Sequence, residues 1–224
     1  MSKLYIVPTP IGNLKDITFR AIEVLKEVDL ILCEDTRVSS KLLKHYNIST
    51  TLKSYHQHNE HRIIDKIIKQ LLENNYSYAL ISDAGTPGIS DPGYLLIREC
   101  IKNEIDIENL PGATAFVPAL INSGFPCDKF IFEGFLPKKK GKRKRLEVLF
   151  KELRSVIIYE SPHRILKTLD VFQELIPNRE IAVVKELTKM HEKVYRGKPN
   201  NVIKQLNSSS LKGEYIIILK GNND

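Results

Sequence analysis

The chain has 224 residues, 42% of them hydrophobic, which suits one large domain or two small ones and is too apolar for a disordered chain. Its net charge of +7 points to a polyanionic partner only if the cations cluster. Three scattered cysteines (Cys33, Cys100, Cys127) with no CxxC pair argue against a disulfide framework or zinc knuckle, and no apolar run approaches a membrane span. Lys3 is followed by only four apolar residues before Pro8-Thr9-Pro10, so no leader is expected and cytoplasm is the expected compartment.

Residues 4–7 read as a short buried strand with a loop behind it to residue 16. Phe19, Ile22 and Leu25 follow at helical spacing, with Thr18 or Asp16 as cap. A strand over 29–33 ends in Glu34-Asp35-Thr36-Arg37, then come a helix over 41–46 and a strand over 50–54. Residues 61–73 carry the clearest helical stripe (Ile63, Ile64, Ile67, Ile68, Leu71, Leu72), with Asn59 as candidate cap. A strand over 78–81 feeds the most unusual stretch of the chain, residues 82–93, where Ser82 and Asp83 stand among Gly85, Gly88, Gly93, Pro87 and Pro92. Glycine and proline at that density force a tight, stiff, exposed turn. A turn at the carboxyl end of a buried strand is where open α/β sheets bind ligands. A helix over 95–103 and a strand over 105–109 complete five strands alternating with helices, which predicts a parallel sheet covered on both faces.

Pro111-Gly112 marks the expected boundary, giving an N-terminal lobe over 1–111 and a C-terminal lobe over 112–224. The second half reads as helix 114–121, strand 129–133, helix 142–154, strand 156–159, helix 163–175, strand 180–185, strand 192–196, helix 200–206 and strand 214–219. Two strands in tandem near the end predict a mixed, partly antiparallel second sheet.

Lys138, Lys139, Lys140, Lys142, Arg143, Lys144 and Arg145 put seven cations into eight residues. A solvated face is the plain reading. However, the run leads into a helix amino end, where cations oppose the dipole and repel one another. A phosphate backbone accounts for it better, so these residues are the expected contacts to a nucleic-acid backbone. His56, His58 and His61 fit neither a zinc spacing nor one helix face, and no metal is expected. There is no Walker A and no G-x-G-x-x-G.

Ser82-Asp83-Ala84-Gly85-Thr86-Pro87-Gly88-Ile89-Ser90-Asp91-Pro92-Gly93-Tyr94 resembles the signature of the tetrapyrrole-methylase superfamily, in the form found in the branch that methylates a cytidine ribose 2′-oxygen in small-subunit (16S) ribosomal RNA. Seven further pieces agree in order, among them Thr9-Pro10-Ile11-Gly12-Asn13-Leu14, Glu34-Asp35-Thr36-Arg37, Pro111-Gly112-Ala113-Thr114-Ala115, Gly134-Phe135-Leu136-Pro137 and Tyr159-Glu160-Ser161-Pro162-His163-Arg164. The resemblance implies a two-lobed α/β fold, a parallel five-stranded sheet plus a mixed second sheet, with S-adenosylmethionine held in a cleft between the lobes. It implies cofactor contacts at Ile11, Asp83, Ala84, Gly85, Thr86, Thr114, Ala115, Tyr159 and Leu187, and a homodimer. Methylation of a small tetrapyrrole and a non-enzymatic RNA-binding module are the alternative functions. A ribose hydroxyl is a poor nucleophile, so a positioned proton acceptor is expected. Asp35 is the expected acceptor and Arg37 the phosphate clamp, with Glu160 next; Glu60 and Glu186 occupy comparable positions. Glu34-Asp35-Thr36-Arg37 reads equally as a structural ion pair with a cap.

Overall fold

Period-two alternation along four-residue strands sends successive side chains to opposite faces, and here both faces are apolar. In the computed structural model, which describes residues 2–138 and 141–222, the chain divides into two units between Thr114 and Ala115. The first unit contains the strands β1 (Lys3–Ile6), β2 (Leu30–Cys33), β3 (Leu52–Ser54), β4 (Ser77–Ile81) and β5 (Asp106–Asn109), all parallel, in the order β3-β2-β4-β1-β5. Its helices are α1 (Phe19–Glu27), α2 (Thr36–His45), α3 (Glu60–Asn74) and α4 (Tyr94–Lys102). Val7, Ile31, Cys33, Ala79 and Ile81 pack under α1 and α2 through Ala21, Val24, Leu25, Leu42 and Leu43. Leu4, Ile6, Leu32, Tyr78 and Leu80 pack under α3 and α4 through Ile64, Ile67, Ile68, Leu71, Leu96 and Cys100. The winding therefore reverses between β1 and β4, which are neighbours in the sheet. Such a switch point opens a crevice at the carboxyl ends of the strands.

Two local expectations in this unit change. Helix α2 begins at Thr36, five residues before the expected start, because Asp35 caps it: its side chain accepts from the Arg37 amide. Leu72, expected on the apolar stripe of α3, is half exposed.

The second unit contains α5 (Phe116–Ser123), β6 (Phe130–Phe135), α6 (Lys142–Leu149), β7 (Ser155–Glu160), α7 (Ile165–Leu175), β8 (Ile181–Lys185), β9 (Lys193–Gly197), α8 (Pro199–Asn207) and β10 (Tyr215–Leu219). Its sheet runs β6-β7-β10-β8-β9. The pair β6–β7 is parallel and the other three pairs are antiparallel, so the sheet is mixed. One face carries a core of Leu136, Val156, Ile158, Val183 and Ile217 against Leu146, Leu149, Leu169, Phe172, Val202 and Leu206 from α6, α7 and α8. Helix α6 ends at Leu149, not at residue 154, and Leu153 beyond it is exposed. The reason is tertiary. The Arg179 guanidinium donates to the carbonyls of Phe150 at 2.5 Å and Glu152 at 3.0 Å, which satisfies the chain end as it turns away.

Glu160, expected as a reserve catalytic group, is buried at the end of β7. Thr168 Oγ1 donates to it at 2.6 Å, the Ser161 amide at 2.9 Å, and Arg164 Nε lies 2.7 Å away. Lys142 Nζ completes the cluster at 3.6 Å. A carboxylate so enclosed and so fully paired cannot reach a substrate, and its role is structural. Removing one partner of a buried, hydrogen-bonded ion cluster leaves uncompensated charge. Glu160→Ala should therefore destabilise the protein by about 3–5 kcal/mol, measured by denaturant unfolding; a loss within experimental error would show that the cluster carries no such strain.

Candidate active site at the carboxyl edge of the first sheet

The turn after β4 is the hub of this edge. Thr9, after β1, and Gly85 form an isolated antiparallel bridge: each amide donates to the other's carbonyl at 2.9 Å. Thr9 Oγ1 donates to the Ser82 carbonyl at 3.0 Å, and Ser82 Oγ to the Gly85 carbonyl at 3.2 Å. Thr86 Oγ1 donates to the Ala113 carbonyl at 3.1 Å, tying in the loop after β5. Asp83 Oδ1 accepts from the Asp35 amide at 3.1 Å, tying in the loop after β2. Gly85 has φ +81°, and a Cβ there would stand 3.4 Å from Ile11 Cγ2 and 3.7 Å from the Ala113 carbonyl oxygen. Only a bare backbone takes that conformation without strain. Ile11, Asp83, Ala84, Gly85, Thr86 and Thr114 thus belong to loops fastened to one another, with Thr114 closing the first unit.

The remaining expected cofactor contacts belong to the second unit. Ala115 caps α5, Tyr159 is the penultimate residue of β7, and Leu187 follows β8. Tyr215 pairs with Glu160 on one side and Lys185 on the other, so Tyr159 and Leu187 share one edge of that sheet. Leu187 is buried between two non-glycine residues in left-handed conformation, Glu186 (φ 52°) and Thr188 (φ 63°). Positive φ is costly for a β-branched residue. Glu186 is itself committed, to Lys189 at 3.0 Å and to the Glu214 amide at 2.9 Å. Glu60 accepts from the Tyr55 hydroxyl at 3.3 Å.

The acids of the first unit divide into paired and unpaired groups. Asp35 is paired: Arg37 Nη2 donates at 2.6 Å and the Arg37 amide at 2.8 Å, and these bonds hold its carboxyl down to about 2. That makes it a weak proton acceptor, and it spends the Arg37 guanidinium on a neighbour. Asp91 is the opposite case. It is half-buried in the turn and forms no hydrogen bond or ion pair among the described residues. Burial, then the charges of Glu34 and Asp83, push its carboxyl up to about 6. Glu34 moves in the same direction, again chiefly by burial and then by Asp83. A poised, unpaired acid in a ligand crevice is the pattern of a catalytic group. Sequence reasoning passed over Asp91 because Asp-Pro-Gly reads as turn chemistry; its burial and its acidic neighbours exist only in the fold.

The basic run is less available than its composition implies. Lys139 and Lys140 lie outside the described residues. Lys142 donates to Thr168 inside the Glu160 cluster, Arg143 grips Glu174 at 2.8 Å, and Arg145 grips Glu133 at 2.6 Å. Three of the five described cations of the run are therefore held in tertiary ion pairs, which stability accounts for. Lys138 and Lys144 are exposed and unpaired among the described residues.

The sequence matches the tetrapyrrole (corrin/porphyrin) methylases over residues 3–202. The chain belongs to that family. It is 50% identical to the ribosomal RNA small subunit methyltransferase I of Hydrogenobaculum sp. (strain Y04AAS1), over 99% of this chain and 96% of that one. The protein of the same name from Thermotoga maritima is 46% identical over 99% of both chains. Among solved structures, a cobalt precorrin-4 methyltransferase of cobalamin biosynthesis superposes with a TM-score of 0.73 at 17% identity, covering 98% of this chain and 95% of that one. A diphthine synthase gives 0.77 at 10% identity, covering 98% and 90%. At those identities the structures speak for the fold, which is the tetrapyrrole-methylase fold. The methyl donor of the family is S-adenosylmethionine, and this member is a methyltransferase. The glycine cradle at Gly85 fits a ligand that must approach backbone closely.

A raised carboxyl costs stability wherever it must ionise. The folded value of Asp91 lies above the ordinary 3.8, so the folded chain binds the proton more tightly. Stability then falls as pH rises from about 4 to 6, and the cost is fully present above that window. Asp91→Asn should stabilise the protein at pH 7.5 by about 1–3 kcal/mol and leave it unchanged near pH 4. Thermal melts at both pH values check this; destabilisation at pH 7.5 would mean the carboxylate has a stabilising partner.

Proposed function

We propose that this chain methylates the ribose 2′-oxygen of a cytidine in small-subunit (16S) ribosomal RNA, using S-adenosylmethionine. The observation that carries the substrate is the identity of 46–50% over 99% of the chain to proteins named for small-subunit ribosomal RNA methylation. The 2′-oxygen of cytidine rests on the branch form of the signature over residues 82–94. Cytoplasm follows from such a substrate, and no described helix is long and apolar enough to cross a membrane. A second copy of this chain is the further proposed partner, to be read as a dimer mass by light scattering.

When bound, the cofactor supplies a methyl group on a positively charged sulfur, open to direct displacement by an oxygen. The chain has three tasks. The first is to hold the donor, to which we assign Ile11, Asp83, Ala84, Gly85, Thr86 and Thr114 of the first unit and Ala115, Tyr159 and Leu187 of the second. The second is to align the ribose, which converts a bimolecular encounter into a positioned reaction. The third is to take the 2′-hydroxyl proton as the oxygen–carbon bond forms and the carbon–sulfur bond breaks. We assign that proton to the Asp91 carboxylate in place of Asp35, because a base near 6 is ionised at neutral pH and still basic, whereas one near 2 is not. Arg37, 88% exposed beyond its contact with Asp35, remains the candidate clamp for a substrate phosphate.

Labelled methyl transfer followed by nucleotide mapping should place the label on a cytidine ribose of small-subunit RNA; transfer to a porphyrinoid and none to RNA would replace this reading with the tetrapyrrole one. Asp91→Asn should lower kcat by about 100-fold or more with cofactor affinity retained. The wild-type rate should rise with pH through about 6, the direction for a group that acts deprotonated, and this limb should vanish in the variant. A wild-type-like profile in Asp91→Asn would return the role to another group.

A further inference from the structure

The face of the second sheet that packs against α5 carries, at its β6 edge, a row of aromatic rings whose alignment depends on one irregularity. Strand β6 is an edge strand, and its register against β7 shifts between Phe132 and Gly134. Before the shift Phe132 pairs with Ile157; after it Phe135 pairs with Tyr159. In a regular strand residues 132 and 135 would point to opposite faces. The bulge at Glu133, with Gly134 at φ 69°, changes the parity and brings Phe135 round to join Phe132. Both rings then meet Tyr159 edge-on, at 5.1 and 5.5 Å between centroids. Phe116, from the start of α5, extends the row to Phe132 at 4.8 Å and Phe130 at 6.2 Å.

Core packing explains only part of this face. Helices α6, α7 and α8 pack on the other face, with Leu136, Val156 and Ile158. Helix α5 packs over β8, β9 and β10 on this one, where Ile157, Val184, Ile216 and Ile218 are buried; the outer rings of β6 are left uncovered. Phe135 is 57% exposed and Phe130 38%. Exposing a ring on an edge strand invites aggregation and costs hydration, so a bulge that turns one outward calls for a partner.

The surroundings identify the partner's chemistry. Lys138 stands three residues beyond Phe135 and is exposed. Arg145, in the first turn of α6, grips Glu133, the bulge residue, at 2.6 and 2.5 Å. That ion pair fastens the start of α6, with the unpaired Lys144, to the same point of the strand. Planar apolar faces beside cations suit a ligand that offers π-surfaces and negative charge in alternation, which is single-stranded nucleic acid.

We infer that Phe135, with Phe132 and Tyr159 behind it, is a stacking platform for an unpaired base of the RNA substrate, and that Lys138 and Lys144 hold the flanking phosphates. The inference rests on the proposed RNA substrate and adds to it how the strand is held: unpaired, by one base laid on a ring. Phe135 is a binding residue here, and proton transfer lies elsewhere.

The test measures affinity of the full chain for a short fluorescein-labelled single-stranded RNA, for its duplex and for S-adenosylmethionine. Wild type should prefer the single strand. Phe135→Ala should weaken single-strand binding by about tenfold or more with the salt slope unchanged. Phe135→Trp, which keeps a ring, should restore it. Lys138→Gln with Lys144→Gln should instead flatten the salt slope. Cofactor affinity and molecular mass should be the same in all variants. Phe135→Ala binding RNA like wild type overturns the platform while leaving RNA as the substrate. Loss of cofactor affinity alone would assign the ring to the donor, and a change in mass would assign it to contact between copies; either overturns the inference. Wild type that binds no RNA overturns both the platform and the proposed substrate.

Discussion

Two backbone hydrogen bonds between Thr9 and Gly85 hold the carboxyl edge of the first sheet in one piece. Parallel strands leave their loops unpaired at this edge, and a crevice at a switch point is normally walled by loops that move independently. Here the turn after β4 reaches the loop after β1 by that bridge, the loop after β5 through Thr86, and the loop after β2 through Asp83. Each link is a hydrogen bond of 2.9–3.1 Å in which a donor in one turn meets an acceptor in another. Ligand-facing groups on such a rim are pre-positioned, which is what alignment of two reactants requires.

The two units use carboxylates in opposite ways. Glu160 is buried with several donors converging on it and contributes to holding α6, β7 and α7 together. Asp91 is half-buried with no hydrogen bond among the described residues and is crowded by other acids. The first arrangement is what stability selects; the second works against stability, as the proposed role of Asp91 in proton transfer would require. The same contrast runs through the basic segment, where Lys142, Arg143 and Arg145 are absorbed by carboxylates while Lys138 and Lys144 remain on the surface.

The alternation of apolar runs with helical stripes was enough to read the strand-helix order of both units, because the central strands β1, β2, β4, β7, β8 and β10 are too apolar, and the helical stripes too regular, to serve any other element. The density of glycine and proline over residues 82–93 was enough to single out the hub. Family membership was legible for the same reason: its signature falls on loops whose backbone geometry tolerates few residue types, as Gly85 shows with its positive φ and its neighbours at van der Waals distance.

What the linear chain did not decide was which charges are paired. Asp35 and Asp91 look alike in sequence, each an acid in a loop after a strand. For Asp35 the fold decides in favour of the ion pair and cap that were one of its two readings; the two carboxylates beside Asp91 are seen only in the fold. Glu160 reads as a reserve proton acceptor until its donors arrive from α6 and α7, and the basic run reads as one patch until Glu160, Glu174 and Glu133 take up Lys142, Arg143 and Arg145. The end of α6 and the direction of Phe135 belong to the same class, set by Arg179 and by a bulge against β7. Periodicity and turn chemistry act over a few residues and can be read locally; pairing, burial and register join residues far apart in the chain, so only the tertiary structure decides them.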